Sequence, residues 1–489
     1  MGGIVSGIRR SYWRRARALS LAAGLVATGL SGGLPGALAG EQALAHDTIA
    51  AAMASAYLGN PVLQGERARQ RATDEQVPQA LSGWRPTVTV RGDGGYEWGR
   101  SISKDTFSSP FGDPNTTTTS DSDNTPARFA IGLSQPIFRG FRTVSETQRA
   151  EASVAAGQQE LLAVEQQVLL DATVAYMDVL RDREIITLRQ RNVEALGEQL
   201  RGAEARFSVG EITRTDVEQA RARLSLAEAL LAVARAELAA SAAFYVQVVG
   251  HAPGTLRYPE ITALIPASLE EALAIANRLN PLVLAAAFNA EAARHQIGFV
   301  QADLLPSVSL EAEFSASHEP QPRTLSSQQG TVLGVLRVPL YEAGRVSSQV
   351  REAKQVASQR RIQIIEAGRA VRETVVRTWN VFISSADTIR SLQAQVTANE
   401  LALDGVRQEA LVGTRTTLDV LDAEQELVQS QVALTDARRD RVVASYQLVA
   451  AIGRLTAVNL KLAVPYYDPE AHYQNTRYRP FGVTTDTVD

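Results

Sequence analysis

Two stretches of the chain, Val144 to Arg206 and Val346 to Glu409, each run for more than sixty residues without a proline. As helices they span ~95 Å apiece at 1.5 Å per residue, further than an ordinary globular domain is wide. Apolar residues recur along them in alternating steps of three and four. In the first these are Ala172, Ala175, Val179, Ile186, Val193, Leu196, Leu200, Ala203 and Phe207. In the second they are Val375, Thr378, Phe382, Ile389, Leu392, Val396, Leu403, Val406 and Ala410. Seams of this kind pack on neighbouring helices as coiled coils. Their many Ala, Ser and Thr residues predict close lateral neighbours, as in the wall of a tube.

The two stretches belong to an internal duplication. Asn60-Pro61 returns as Asn280-Pro281, and Pro86-Thr87-Val88 as Pro306-Ser307-Val308, both 220 residues on. Val209-Gly210, Thr213, Asp216-Val217 and Ala220 return as Val412-Gly413, Thr416, Asp419-Val420 and Ala423, now 203 residues on. Pro136 likewise returns as Pro339. The smaller offset places an insert in the first copy, and Ser108 to Ser120, rich in Thr, Ser, Pro and Asp, reads as an exposed loop. Copy one is expected over 40–250, with a helix, strands near 86–98 and 127–136, a long helix over 143–207 and a return helix over 214–250. A linker follows at 251–267. Copy two is expected over 268–455, with a helix, strands near 306–317 and 329–339, a long helix over 345–410 and a return helix over 416–453. The tail, 456–489, reads as irregular.

Strand faces indicate what surrounds them. Val88, Val90, Gly92, Gly94, Tyr96 and Trp98 oppose Thr87, Thr89, Arg91, Asp93 and Glu97. In the second copy Val308, Leu310, Ala312, Phe314 and Ala316 oppose Ser307, Ser309, Glu311, Glu313, Ser315 and Ser317, and Phe129, Ile131 and Leu133 continue the alternation. A soluble sheet with one wet face alternates in the same way. Strands of ~10–12 residues, with the aromatic pair Tyr96 and Trp98 closing the apolar face, favour an outer-membrane barrel, lipid outside and water inside. Four strands cannot close a barrel, for which about eight are the minimum, so the open edges call for further copies of the chain. The expected fold class is mainly α with a small transmembrane β-barrel, in a homo-oligomer.

Composition narrows the function. Arg9, Arg10, Arg14, Arg15 and Arg17 precede an apolar run from Ala18 to Leu30 and then Ala37-Leu38-Ala39. This order makes residues 1–39 an expected export signal, cut after Ala39 or, as the alternative, after Ala45. From Gly40 on, 44 bases face 53 acids, a balance unsuited to nucleic acid. The absence of Cys excludes disulfides, thiolate metal sites, thiol nucleophiles and a lipidated N-terminal Cys. The five His are scattered and no GxxxxGK[ST] is present, so neither metal nor nucleotide cofactor is expected. No nucleophile elbow appears either, and an enzyme is not expected. Beyond the signal, no window of ~18 uncharged apolar residues is present to form a membrane-crossing helix.

The turns that end the long helices carry the informative motifs. Gly210 and Gly413 permit the positive φ of a helix C-terminus. Thr213 or Thr215, and Thr416 or Thr417, would cap the returning helices, with Asp216 and Asp419 in their first turns. Asp419 and Asp422 lie three apart on one helical face. Around the axis of a symmetric oligomer they would stack as carboxylate rings that attract cations and raise one another's pKa, as suits a pore constriction. Arg415 would pair with Asp216 of the other turn and hold that constriction shut. The plainer alternative leaves these residues as helix caps and a solvated arginine.

With these motifs the chain resembles the TolC-type outer-membrane channel family (outer-membrane efflux proteins) from about residue 46 to 460. The resemblance rests on the two-copy layout, both Asn-Pro sites and both strand-ending prolines. It rests above all on VGTRTTLDVLDA at 412–423, with VGEITRTDVEQARA at 209–222. It implies a homotrimer whose 12-stranded barrel continues into a 12-helix periplasmic tunnel, a passive exit duct for small-molecule efflux or type I protein secretion. It further implies that Val209, Gly210, Val412, Gly413 and Thr414 form the periplasmic tip, facing a periplasmic adaptor coupled to an inner-membrane transporter. Asp419 and Asp422 then match the acidic entrance rings, and Arg415, Asp216 and Thr215 the contacts that keep the entrance closed. Ala410 departs from the pattern, since the best-known members carry Tyr three residues before the second-turn Gly. A periplasmic coiled-coil scaffold without a pore remains the alternative at this point.

Overall fold

The computed structural model describes residues 48–105, 116–262, 264–321 and 324–485. The expected signal peptide and residues 108–115 of the expected loop lie outside these. The first half opens with α1 (Ile49–Gly59), α2 (Pro61–Asp74), α3 (Gln76–Leu81) and a 3-10 turn at Ser82–Trp84. The second half opens with α6 (Leu269–Leu279), α7 (Pro281–Gln301) and a 3-10 turn at Ala302–Leu304.

Both Asn-Pro sites work the same way. Proline fits the first turn of a helix, where its missing N–H is not needed. The preceding asparagine caps that helix: Oδ1 of Asn60 accepts from the Val62 N–H and Oδ1 of Asn280 from the Leu282 N–H, both at 2.9 Å. Each Nδ2 then donates to a distant helix end, Asn60 to the Val248 carbonyl at 3.0 Å and Asn280 to the Ala451 carbonyl at 2.9 Å. One buried side chain thus starts one helix and ties down the end of another.

The strands are β1 (Thr87–Gly94), β2 (Glu97–Asp105), β3 (Thr116–Asn124), β4 (Ala127–Arg139), β5 (Ser307–Gln321) and β6 (Thr324–Arg337). β1, β4, β5 and β6 form one antiparallel sheet in the order β1-β4-β5-β6, with β1 and β6 at its edges. β2 pairs with β3 in the register that β1 keeps with β4: Thr87 faces Ser134, Gly94 faces Ala127, Glu97 faces Asn124 and Asp105 faces Thr116. The Gly95 N–H donates to the Pro126 carbonyl at 2.9 Å across the break. The first-copy insert therefore lengthens a hairpin that outreaches β5 and β6. Thr116–Ser120, expected as loop, is strand.

Cross-strand register carries one apolar face over the sheet: Val90 beside Ile131 beside Phe314, and Val88 beside Leu133 beside Ala312 beside Val332. Val88, Val90, Ile131, Phe314 and Val332 are exposed in the chain, and Tyr96 and Trp98 stand exposed beyond them. The opposite face carries Arg91, Asp93 and Glu311, and an Arg128–Glu313 ion pair at 3.3 Å.

The long helices α4 (Arg142–Ser208) and α8 (Arg345–Leu411) are 67 residues each, and α5 (Arg214–Val249) and α9 (Thr417–Ala451) return beside them. The main core lies at mid-length of α4, where Leu169, Ala172, Tyr176 and Val179 meet Met53 of α1, Tyr245 of α5 and Val449 of α9. The linker is strapped there: the Tyr176 hydroxyl donates to the Arg257 carbonyl at 2.6 Å, and Arg183 donates to the Gly254 carbonyl at 2.7 Å. α5 contains an 18-residue window of mean hydropathy 1.5 with at most two charges, enough by length and composition to cross a membrane. The charges it contains keep it from reading as an uncharged apolar run in the sequence. α5 packs along α4 and buries Leu231, Ala234 and Tyr245.

The tail is not wholly irregular, because α10 (Pro469–Thr476) forms within it. Nδ1 of its His472 lies 2.8 Å from Oδ2 of Asp74, a buried carboxylate that also accepts from Gln70 at 2.8 Å. Arg477 pairs with Glu151 of α4. The Tyr467 N–H donates to the Tyr57 hydroxyl at 2.9 Å, which seats the tail on the core.

Candidate functional site at the helical turns

The two turns share a backbone. Gly210 has φ +79° and Gly413 φ +83°, the left-handed region that glycine enters without steric cost. Their N–H groups donate to the carbonyls of Phe207 at 2.9 Å and Ala410 at 3.1 Å. Of the capping candidates, Thr213 and Thr416 take the role, each with φ −85° and ψ 160°. Each hydroxyl accepts the N–H of the aspartate three residues on, at 3.4 Å from Asp216 and 3.2 Å from Asp419. Oδ2 of each aspartate accepts the threonine N–H at 2.9 Å and its hydroxyl at 2.7 Å. This reciprocal box satisfies N–H groups that a helix start otherwise leaves without partners. Thr215 and Thr417 lie inside the first turns instead.

The same bonds set the charge of the aspartates. The threonine hydroxyl, and then its backbone N–H, hold Asp216 and Asp419 below the usual carboxylate range. The sequence reading expected ring repulsion to raise Asp419; within the chain the cap acts in the opposite direction.

Arg415 donates through Nε to Oε2 of Glu409 at 2.8 Å, closing its own turn. The pairing with Asp216 expected from the sequence is not made within one chain. The first turn has a matching bridge, from Arg206 to Glu211 at 2.8 Å. Val209 and Val412 project at the tip, 77% and 76% exposed, and the Thr414 hydroxyl donates to the Glu409 carbonyl at 2.9 Å.

Asp422, expected to form an entrance ring with Asp419, has a partner within the chain that the sequence did not reveal. Nη2 of Arg223 on α5 donates to its Oδ1 at 2.5 Å, and Nη1 of Arg223 bonds Gln425. Glu424, buried, accepts from Arg407 of α8 at 2.6 Å and from Gln199 of α4. One signal was available: the positions 203 residues earlier than Glu424 and Glu426 hold Arg221 and Arg223, the opposite charge on the same scaffold. Among the described residues no group of His, Asp and Glu is placed to hold a metal.

Comparison with known proteins accounts for this architecture. The outer membrane efflux protein family matches residues 53–251 and 272–454. The outer membrane efflux protein BepC of Brucella suis is 37% identical over 453 residues, covering 92% of this chain and 95% of the relative. The outer membrane protein TolC of Escherichia coli is 28% identical over 427 residues, covering 83% and 82%. The solved outer membrane channel CmeC of Campylobacter jejuni has the same fold, with a TM-score of 0.72 at 14% identity over 88% of this chain and 89% of that one. A scaffold without a pore is thereby set aside, since the family is one of outer membrane efflux proteins. The chain belongs to the outer membrane efflux protein family and is an export duct of the outer membrane.

Proposed function

We propose that three copies of this chain close a twelve-stranded barrel and continue inward as a twelve-helix tunnel, a passive duct for small molecules or for proteins leaving by type I secretion. One observation carries the reading: a four-stranded sheet open at both β1 and β6, with an apolar face left exposed among the described residues. A two-sided edge needs strand partners, and an uncovered apolar face needs lipid. The long helices support it, because α8 leaves Ile362, Ile365, Ile383 and Leu401 exposed and buries fewer of its residues than α4 does. The two halves, alike in element order apart from α3 and the β2–β3 extension of the first, read as an ancient duplication.

In this arrangement the turns form the periplasmic tip. Val209, Gly210, Val412, Gly413 and Thr414 offer the apolar and backbone surface on which an adaptor would dock, linking the duct to an inner-membrane transporter that supplies the energy. Asp419 and Asp422 ring the entrance. Among the described residues Arg415 bonds Glu409 through Nε alone, and the cap uses Oδ2 alone of Asp216. The remaining guanidinium N–H groups and Oδ1 suit a contact between protomers, with Thr215 beside it, that keeps the entrance closed.

Extraction and conductance test the reading together. The protein should leave membranes only with detergent, run as a trimer, and conduct cations in preference to anions in planar bilayers. Replacing Asp419 and Asp422 together by Asn should lower that preference. A monomer soluble without detergent would overturn the duct, and an unchanged reversal potential would overturn the rings.

A further inference from the structure

We propose that Arg223 couples opening of the duct to its ion selectivity, by masking the Asp422 carboxylate until the α8–α9 hairpin moves away from α4 and α5. The inference rests on the reading of Asp419 and Asp422 as entrance rings.

The two aspartates are anchored in different ways. Asp419 is bound to Thr416 of its own turn, so it travels with α9 and keeps its charge in any position of the hairpin. Asp422 is bound across helices, to Arg223 of the first copy, and Gln425, one turn along α9, takes the second prong of the same guanidinium. A planar guanidinium fork held at two points fixes geometry as well as charge. The Arg223 and Asp422 side chains are 31% and 55% exposed, so separating them leaves both charges in contact with water rather than stranded. Glu424 adds a second tie from α9 to the first copy through Gln199 of α4, while Arg407 holds the same carboxylate from α8.

Charge follows from this wiring. With the hairpins together, each Asp422 is bound directly by a cation, whereas Asp419 is bound by its threonine cap and feels Arg415 only at a distance, so the Asp419 tier carries most of the charge that ions meet. Moving α9 away from α5 breaks the Arg223 fork, and a second carboxylate tier joins the first. Opening therefore strengthens cation preference as it widens the path, through a residue contributed by the opposite half of the chain.

Planar-bilayer recording on the full-length protein tests this with Arg223→Gln, Asp422→Asn, the double variant and Asp419→Asn. Arg223→Gln should raise both the conductance and the cation-to-anion permeability ratio, the ratio by about twofold or more. Asp422→Asn should lower the ratio at least about twofold more in the Arg223→Gln background than alone. Arg223→Lys, which keeps the charge and loses the fork, should raise the conductance with a smaller change in ratio. Equal effects of Asp422→Asn in both backgrounds, or an Arg223→Gln channel indistinguishable from the parent, would overturn the proposal. If Asp419→Asn lowers the ratio while Arg223→Gln changes nothing, the rings stand and Arg223 falls. If no aspartate variant moves the ratio in any background, the ring reading itself has failed.

Discussion

The starts of the two return helices share one backbone and carry opposite charge. Gly210 and Gly413, and Thr213 and Thr416, agree within a few degrees and a few tenths of an ångström. On that common frame Arg206 occupies the position of Glu409, Arg221 that of Glu424 and Arg223 that of Glu426. Even the turn bridges are reversed, Arg206 to Glu211 in one and Glu409 to Arg415 in the other. The frame is held by glycine, by asparagine on distant backbone and by the threonine–aspartate box, all alike in the two copies, so charge elsewhere can change without disturbing it. The charged surface was free to diverge, and the copies became counter-ions of each other.

If the frame is equally shared, mutations of it should cost the same in either half. The largest effect belongs to Asn60 and Asn280. Replacing either with Ala removes a cap and leaves a buried carbonyl, of Val248 or Ala451, without its donor. Each should cost about 2–3 kcal/mol, the sum of an ordinary cap and an unmet buried acceptor. Denaturant unfolding of the detergent-solubilised protein would measure both, and a large inequality would show that one copy is held by something other than this device. Next come Thr213→Ala and Thr416→Ala, each expected to cost about 1 kcal/mol of local stability. Amide exchange in the first turns of α5 and α9 should quicken about fivefold in both. A faster response at α9 alone would mean that charge, not capping, sets the stability of the second turn.

Local chemistry was open to inspection in the sequence and distant pairing was not. The predominantly helical fold is legible because proline-free runs and three-four periodicity are properties of neighbouring residues. β3 is not, since Thr116–Asn124 is polar on both faces and lacks the alternation by which a strand announces itself. α10, with eight residues and no apolar stripe, gives too short a signal for periodicity to find. At the site, glycine and threonine declare a turn from their own preferences. The Arg223–Asp422 bond joins residues 199 apart, and only the fold reveals it.

The smallest effect concerns protonation, where two influences oppose each other on Asp419. Hydrogen bonds from Thr416 lower its pKa within the chain. Neighbouring carboxylates of a ring would raise it. The cap bonds are direct, at 2.7 and 2.9 Å, whereas charges across a wet lumen are screened over about 8 Å at physiological salt. The cap should therefore prevail. A carboxylate with a lowered pKa is ionised at neutral pH, and whatever it contributes in that form is lost only as pH falls through the lowered value. Cation preference due to Asp419 should accordingly persist as pH drops to about 4, near the ordinary aspartate value, and fade below it. Reversal potentials between neutral and acidic pH, recorded in an Asp422→Asn background so that one ring titrates, would follow this directly. Loss of preference well above that pH would place ring repulsion ahead of the cap. Thr416→Ala sharpens the comparison, because without the hydroxyl the transition should move upward, while Thr213→Ala, acting on the capped aspartate that has Gln219 where α9 has its second acid, should leave it in place.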